Sequence, residues 1–323
     1  MMLLRFLPEN FPTLATHPLL RHEYKRLNPA RRQRERLSRA AGLIFLLAML
    51  VLSGYLYATW GLSKTAGFNP VQALWHTLFF PMIGIQWGLS VAGTILGTRV
   101  IQEERRRQTW DKLRSTSRGT KLTLETYRLT IMYRLREGLG VLMLARVVLI
   151  GGVLLELMMN RGEYLDMLTG SSHPVMPALI GVLLMAAFLC AGLLLPLASL
   201  AFDISVGLWI GTFFQNKTWA FLAQFIFIGL RLSAAFALLI LMTDFLQAEW
   251  LITVPSAWAL TTAYSIFADQ GMLFLNSFQV AQIWQLIPYS IFIGLCLMGV
   301  ALLFAWLSDG LLRLAVRRTE KNH

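Results

Sequence analysis

The stretch Val175 to Lys217, VMPALIGVLLMAAFLCAGLLLPLASLAFDISVGLWIGTFFQNK, decides the fold. Before Lys217 it carries one charged side chain, Asp203. As a single helix rising 1.5 Å per residue it would be about 65 Å long, roughly twice the hydrocarbon core of a bilayer. Either it runs on into the cytoplasm as one long helix, or it breaks near Pro196 or Gly207 and counts as two spans. The parity of the whole chain hangs on that choice.

Composition sets the class. Of 323 residues, 56% are hydrophobic and 14% are charged, against about 25% charged in a soluble domain. Runs long enough to span a bilayer lie at about 40–60, 71–98, 138–160, 175–200, 218–242 and 286–307. These predict an all-α membrane protein with six transmembrane helices. The first run begins at Ala40, after a basic stretch, so it is expected to act as an uncleaved insertion signal.

Charge placement answers the parity question. The segment 1–39 holds nine Lys and Arg residues, 99–137 holds eleven, and the tail 313–323 holds four. Lys217 adds one at the turn between the fourth and fifth runs, whereas Lys64 and Arg161 stand alone on the other side. Basic residues collect on cytoplasmic loops, so both ends are expected inside. An odd span count would strand a basic block outside. The net charge of +12 therefore follows topology and implies no nucleic-acid partner. The bilayer is the expected surroundings, a prokaryotic plasma or inner membrane the expected location.

Three segments outside the spans carry pattern. Residues 1–39 combine Leu19, Leu20, Leu27 and Leu37 with many basic side chains, either an amphipathic helix on the anionic inner leaflet or a solvated basic arm. Within the loop 99–137, Leu124, Tyr127, Ile131 and Leu135 form an apolar stripe at helical spacing. The outer segment 243–285 is rich in Trp, Phe and Tyr, too polar for a comfortable span and too apolar for a free loop. Short helices re-entering the outer leaflet fit both facts, because aromatic side chains favour the interface. A seventh crossing is the alternative.

Ionisable residues inside spans are costly and call for partners. Arg146 lies about two turns into the third run and is expected to snorkel toward the cytoplasm. Glu156 stands one turn from the outer end of the same run. Arg231, in the middle of the fifth run, reaches neither interface and needs a partner or a cavity. Each is read as an interhelical polar contact or as part of a translocation path. In the second run Gly84 and Gly88, and Gly93 and Gly97, are spaced for close helix packing. Cys190 and Cys296 show no metal or disulfide spacing, and no phosphate-binding loop, zinc-protease motif or nucleophile elbow is present. An enzyme acting alone is not expected.

After the second run the sequence reads Glu103, Glu104, Arg105, Arg106, Arg107, Gln108, Thr109, Trp110, Asp111, Lys112, Leu113. This resembles the type-2 family of ATP-binding-cassette export permeases, in Thr109, Trp110, Asp111 and Leu113 above all. Gln108 stands where the family commonly has glycine. The opening HPLLRHEYKR at residues 17–26 is similar to the same family. The resemblance implies a permease subunit with a coupling helix around Glu103 to Ser115. A separate nucleotide-binding ATPase subunit would dock there, binding the ATP and Mg that this chain does not. It also implies pairing with a second permease half, as a homodimer or a heterodimer. A membrane scaffold or accessory subunit without transport activity is the competing reading.

Overall fold

The computed structural model describes residues 70–106, 119–159, 175–246 and 253–321. The expected first span at 40–60 and the basic segment 1–39 lie outside the described residues. Those described form eight α-helices: α1 (Pro70–Arg106), α2 (Gly119–Arg134), α3 (Arg136–Met159), α4 (Ala178–Phe213), α5 (Lys217–Leu246), α6 (Val254–Phe267), α7 (Ser277–Leu286) and α8 (Ile293–Lys321). Among the described residues there is no strand. Five helices, α1, α3, α4, α5 and α8, are long and apolar enough to cross a bilayer. The chain is a multi-pass helical membrane protein.

The decisive stretch is one helix. α4 runs unbroken through Pro196 for 36 residues, about 54 Å at the α-helical rise. It is the axis of the bundle, packing mainly against α8 and α1. From Leu200 to Thr212 nearly all its side chains are buried, as expected of a helix that is apolar on every face. By contrast, α5 buries only Ala220, Gln224, Ala235 and Met242. Its remaining surface exposes Phe221, Phe225, Ile226, Leu230 and Phe236. A patch of that size is incompatible with water and suits lipid or another helix.

Small residues set the closest approach, between α1 and α4. A Cβ on Gly97 would lie 2.8 Å from the carbonyl oxygen of Ile204, and one on Gly207 would run into the backbone of Thr94. Thr98 Oγ1 donates to the Gly207 carbonyl at 3.1 Å. At the same seam Arg105 donates to the carbonyls of Thr212 (2.7 Å) and Phe214 (2.8 Å), covering the open C-terminal end of α4. Gly93 also faces α4, whereas Gly88 has open space around it. The two spacings therefore serve different surroundings.

The stripe at Leu124, Tyr127, Ile131 and Leu135 lies along α2 and its junction with α3. Leu124 and Ile131 are fully buried, and Tyr127 and Leu135 pack on the same cluster. Arg128 on that helix binds Asp309 (2.7 Å) and Ser308 (3.2 Å) of α8. Ser308 in turn meets Ser205 of α4 at 2.6 Å.

Between α5 and α8 the chain goes into the bundle and comes back. At 14 and 10 residues, α6 and α7 span about 21 and 15 Å, short of a crossing. Trp258 Nε1 in α6 donates to the carbonyl of Pro288 at 2.8 Å, which ties the two mouths of the excursion together. Its tip, 268–276, is deep among the long helices. The aromatic segment thus contains no seventh crossing among its described residues. The last long helix begins at Ile293 rather than at 286, because Pro288 and the left-handed Tyr289 (φ 61°) interrupt the backbone. It then continues to Lys321 through most of the expected tail.

Candidate functional site

The polar groups of the bundle gather around the tip of the in-and-out segment. Asp269, Gln270 and Gly271 form the turn, with φ of 50° at Gln270 and 80° at Gly271. The Asp269 carboxylate accepts from the backbone N–H of Gly271 (2.9 Å) and Leu273 (2.6 Å), closing the turn on itself. Gly271 sits against α4 at Gly192, where a Cβ would lie 3.3 Å from the Gly192 Cα. From α1, Trp87 Nε1 donates to the Ala268 carbonyl at 2.9 Å and Trp75 Nε1 to that of Met272 at 3.3 Å.

Arg146 is the principal anchor. Its side chain, on α3, is completely buried. It donates to the carbonyls of Gln270 (2.9 Å) and Asp269 (3.0 Å), to Gln86 Oε1 (2.6 Å) and to the carbonyl of Gly192. The expectation that Arg146 snorkels outward is therefore corrected. The tip brings carbonyl oxygens to its own depth in the bundle, and four acceptors outweigh a reach toward the headgroups.

Arg231 also turns inward. From α5 it forms an ion pair with Asp203 of α4 and donates to Ser199 Oγ at 2.6 Å. Ser90 of α1 donates to the other carboxylate oxygen of Asp203. Ser199 also accepts from Gln270 Nε2 at 3.0 Å. A continuous polar line thus runs from Arg146 through the tip residue Gln270 and Ser199 to Arg231, Asp203 and Ser90. The sequence singled out Arg146 and Arg231 and showed Asp203 only as the one charge in its run. It did not single out Gln86, Ser90, Ser199 or Gln270, since neutral polar residues raise no alarm in an apolar run.

Two small cavities flank this line. One, with room for about one water molecule, is lined by Gln86, Ser90, Leu142, Pro196, Asp203 and Gln270, among others. The other, of similar capacity, is lined by Trp87, Ser90, Phe227, Ile228, Arg231 and Gln270, among others. Asp203 borders the first and Arg231 the second, and Ser90 and Gln270 border both.

Glu156 accepts a hydrogen bond from Ser277 at the start of α7 and does not join the central line. Of the residues expected to contact an ATPase partner, Glu103, Glu104 and Arg105 lie in the last turn of α1. Arg105 holds the end of α4 as described. Thr109, Trp110, Asp111 and Leu113 lie outside the described residues. Among the described residues, no cluster of His, Cys, Asp and Glu suited to a metal occurs. No family model, curated protein or solved structure matches this chain.

Proposed function

We propose that this chain is the membrane-spanning permease subunit of an ATP-binding-cassette exporter in a prokaryotic plasma membrane. A separate ATPase subunit would bind ATP and Mg and dock on the loop 99–137, and a second permease half would complete the transporter. Both ends would be cytoplasmic and the in-and-out segment would enter from the outer leaflet.

The observation that carries this reading is how the two ends of that loop are tied to the bundle. On one side Arg105 grips the end of α4. On the other side Arg128 grips α8 through Asp309 and Ser308. A force applied between Glu104 and Leu113 would reach α1, α4 and α8 together. Two of those helices, α1 and α4, contribute Gln86, Ser90, Ser199 and Asp203 to the polar line. Such rigid connections are what a lever needs, since packed helices transmit displacement rather than absorb it.

Co-purification from native membranes tests the proposal. A nucleotide-binding subunit is expected to accompany the chain. The double charge reversal Glu104→Lys with Asp111→Lys is expected to release it. Retention of the ATPase by that variant would refute the docking site, and its absence from the wild-type preparation would favour a scaffold.

A further inference from the structure

We propose that the two small cavities beside the polar line are binding sites for one water molecule each. These waters make the contact of α5 with the in-and-out tip an exchangeable, hydrogen-bonded joint. The inference does not depend on an ATPase partner.

Size and lining select the ligand. Each cavity has room for about one water, which when buried takes roughly two to four polar partners. The first offers Gln86, Ser90, Asp203 and Gln270. The second offers Ser90, Thr94, Arg231 and Gln270. A cavity lined by apolar groups alone would stay dry. A small cation would find no net charge to hold it, because Arg231 already balances Asp203. The neutral molecule of this size that both donates and accepts is water.

The hydrogen bonds already made leave the right groups open. Arg231 has five N–H donors. Among the described residues, Asp203 and Ser199 accept one bond each from it. A water in the second cavity can accept from one of those that remain. Gln270 spends its Nε2 on Ser199 and its backbone carbonyl on Arg146, which leaves its Oε1 to accept from water. In the first cavity the Asp203 carboxylate accepts from Arg231 and Ser90 and has lone pairs for a further donor. Gln86 gives one N–H to the Ala268 carbonyl and has a second to give. Ser90 and Gln270 border both cavities and so join one water to the other.

The consequence falls on α5. Helices in lipid gain little from apolar contact alone, and α5 buries only four side chains. Through Arg231 it reaches α4 directly, and through the second water it reaches the tip at Gln270. A water-mediated bond is nearly as favourable as a direct one and re-forms when its partners shift. α5 is therefore held to the tip by contacts that survive a small displacement.

Hydroxyl-radical footprinting tests this, because X-ray ionisation of a buried water labels the side chains beside it. The purified full chain in nanodiscs receives millisecond X-ray pulses, and oxidised peptides are measured by mass spectrometry. Phe227 borders the second cavity, whereas Phe188 is fully buried in the apolar core and Phe225 faces outward. Phe227 is expected to be oxidised roughly fivefold faster than either, since only its ring adjoins a water. Leu142 borders the first cavity. Leu149, on the same helix and equally buried, borders neither, so Leu142 is expected to lead it likewise. Ser90→Val puts a methyl group where both waters bind and removes a hydroxyl, and both leads are expected to vanish. If that variant misfolds, Val91→Ile in its place narrows the second cavity alone. Only the lead of Phe227 is then expected to shrink. Equal rates within either comparison, or leads that survive the variant, would overturn the proposal.

Discussion

Arg146 donates to the carbonyl of Gly192, the group that Pro196 leaves without a helical partner. A proline cannot supply the N–H that its i−4 carbonyl would otherwise accept. In a membrane interior such a carbonyl is costly unless something else reaches it. The guanidinium on α3 does so, and with its other N–H groups it holds the tip at Asp269 and Gln270. One cation therefore explains both why α4 passes through Pro196 unbroken and why the in-and-out segment stops at that depth.

A double-mutant cycle checks this coupling. Arg146→Met strips donors from four acceptors and is expected to cost roughly 3 kcal/mol or more. Pro196→Ala returns a helical N–H to Gly192. In that background the loss of Arg146 should cost about 1 kcal/mol less than in the wild type. The four apparent unfolding temperatures in one detergent measure it. Strictly additive shifts would show that Arg146 and Pro196 are independent.

The seam between α1 and α4 gives a prediction with a built-in control. Gly207→Ala places a methyl group against the backbone of Thr94, which cannot move aside without parting the helices. The expected loss is about 1–3 kcal/mol. Gly88→Ala, in the same glycine-rich helix, meets nothing within 4 Å and should be neutral or gain up to about 1 kcal/mol from helix propensity. Thermal stability of the two variants, measured side by side, distinguishes a packing seam from a general intolerance of alanine.

Arg128 and Asp309 join α2 to α8. The Asp309 side chain is half exposed, so the ion pair itself is worth no more than about 1 kcal/mol. That equals about a fivefold change in the population of a released α2. Limited trypsin digestion at Lys121, whose side chain is well exposed, reads it out. Arg128→Glu should speed cleavage about fivefold, and the swap Arg128→Glu with Asp309→Arg should slow it again. Equal rates in all three proteins would mean that apolar packing alone holds α2.

Much of the architecture was legible because its signals are physical and local. Apolar runs of bilayer length marked the long helices, and the stripe from Leu124 to Leu135 marked α2. Aromatic residues mixed with polar ones marked the excursion before α8. What remained hidden was direction. Arg146 lies close enough to one end of its run to snorkel, and nothing in the run says that a turn 120 residues later will bring it carbonyls. The need of Arg231 for a partner was readable, but the identity of that partner was not. Asp203 sits in a different run, and only packing aligns the two. Ser199 and Gln270 carry no charge and so left no mark on hydropathy.

Sidedness tests the foundation most directly. Cys190 and Cys296 are exposed, so both are first replaced by serine. Single cysteines are then introduced at Ser115, in the proposed docking loop, at Ser172, between α3 and α4, and at Asn322, after α8. Intact cells are labelled with a membrane-impermeant maleimide before and after permeabilisation. The expected result is labelling of residue 172 in intact cells, and of 115 and 322 only after permeabilisation. Labelling of 115 and 322 from opposite sides would contradict the even span count. With it would go a cytoplasmic docking loop and an excursion from the outer leaflet.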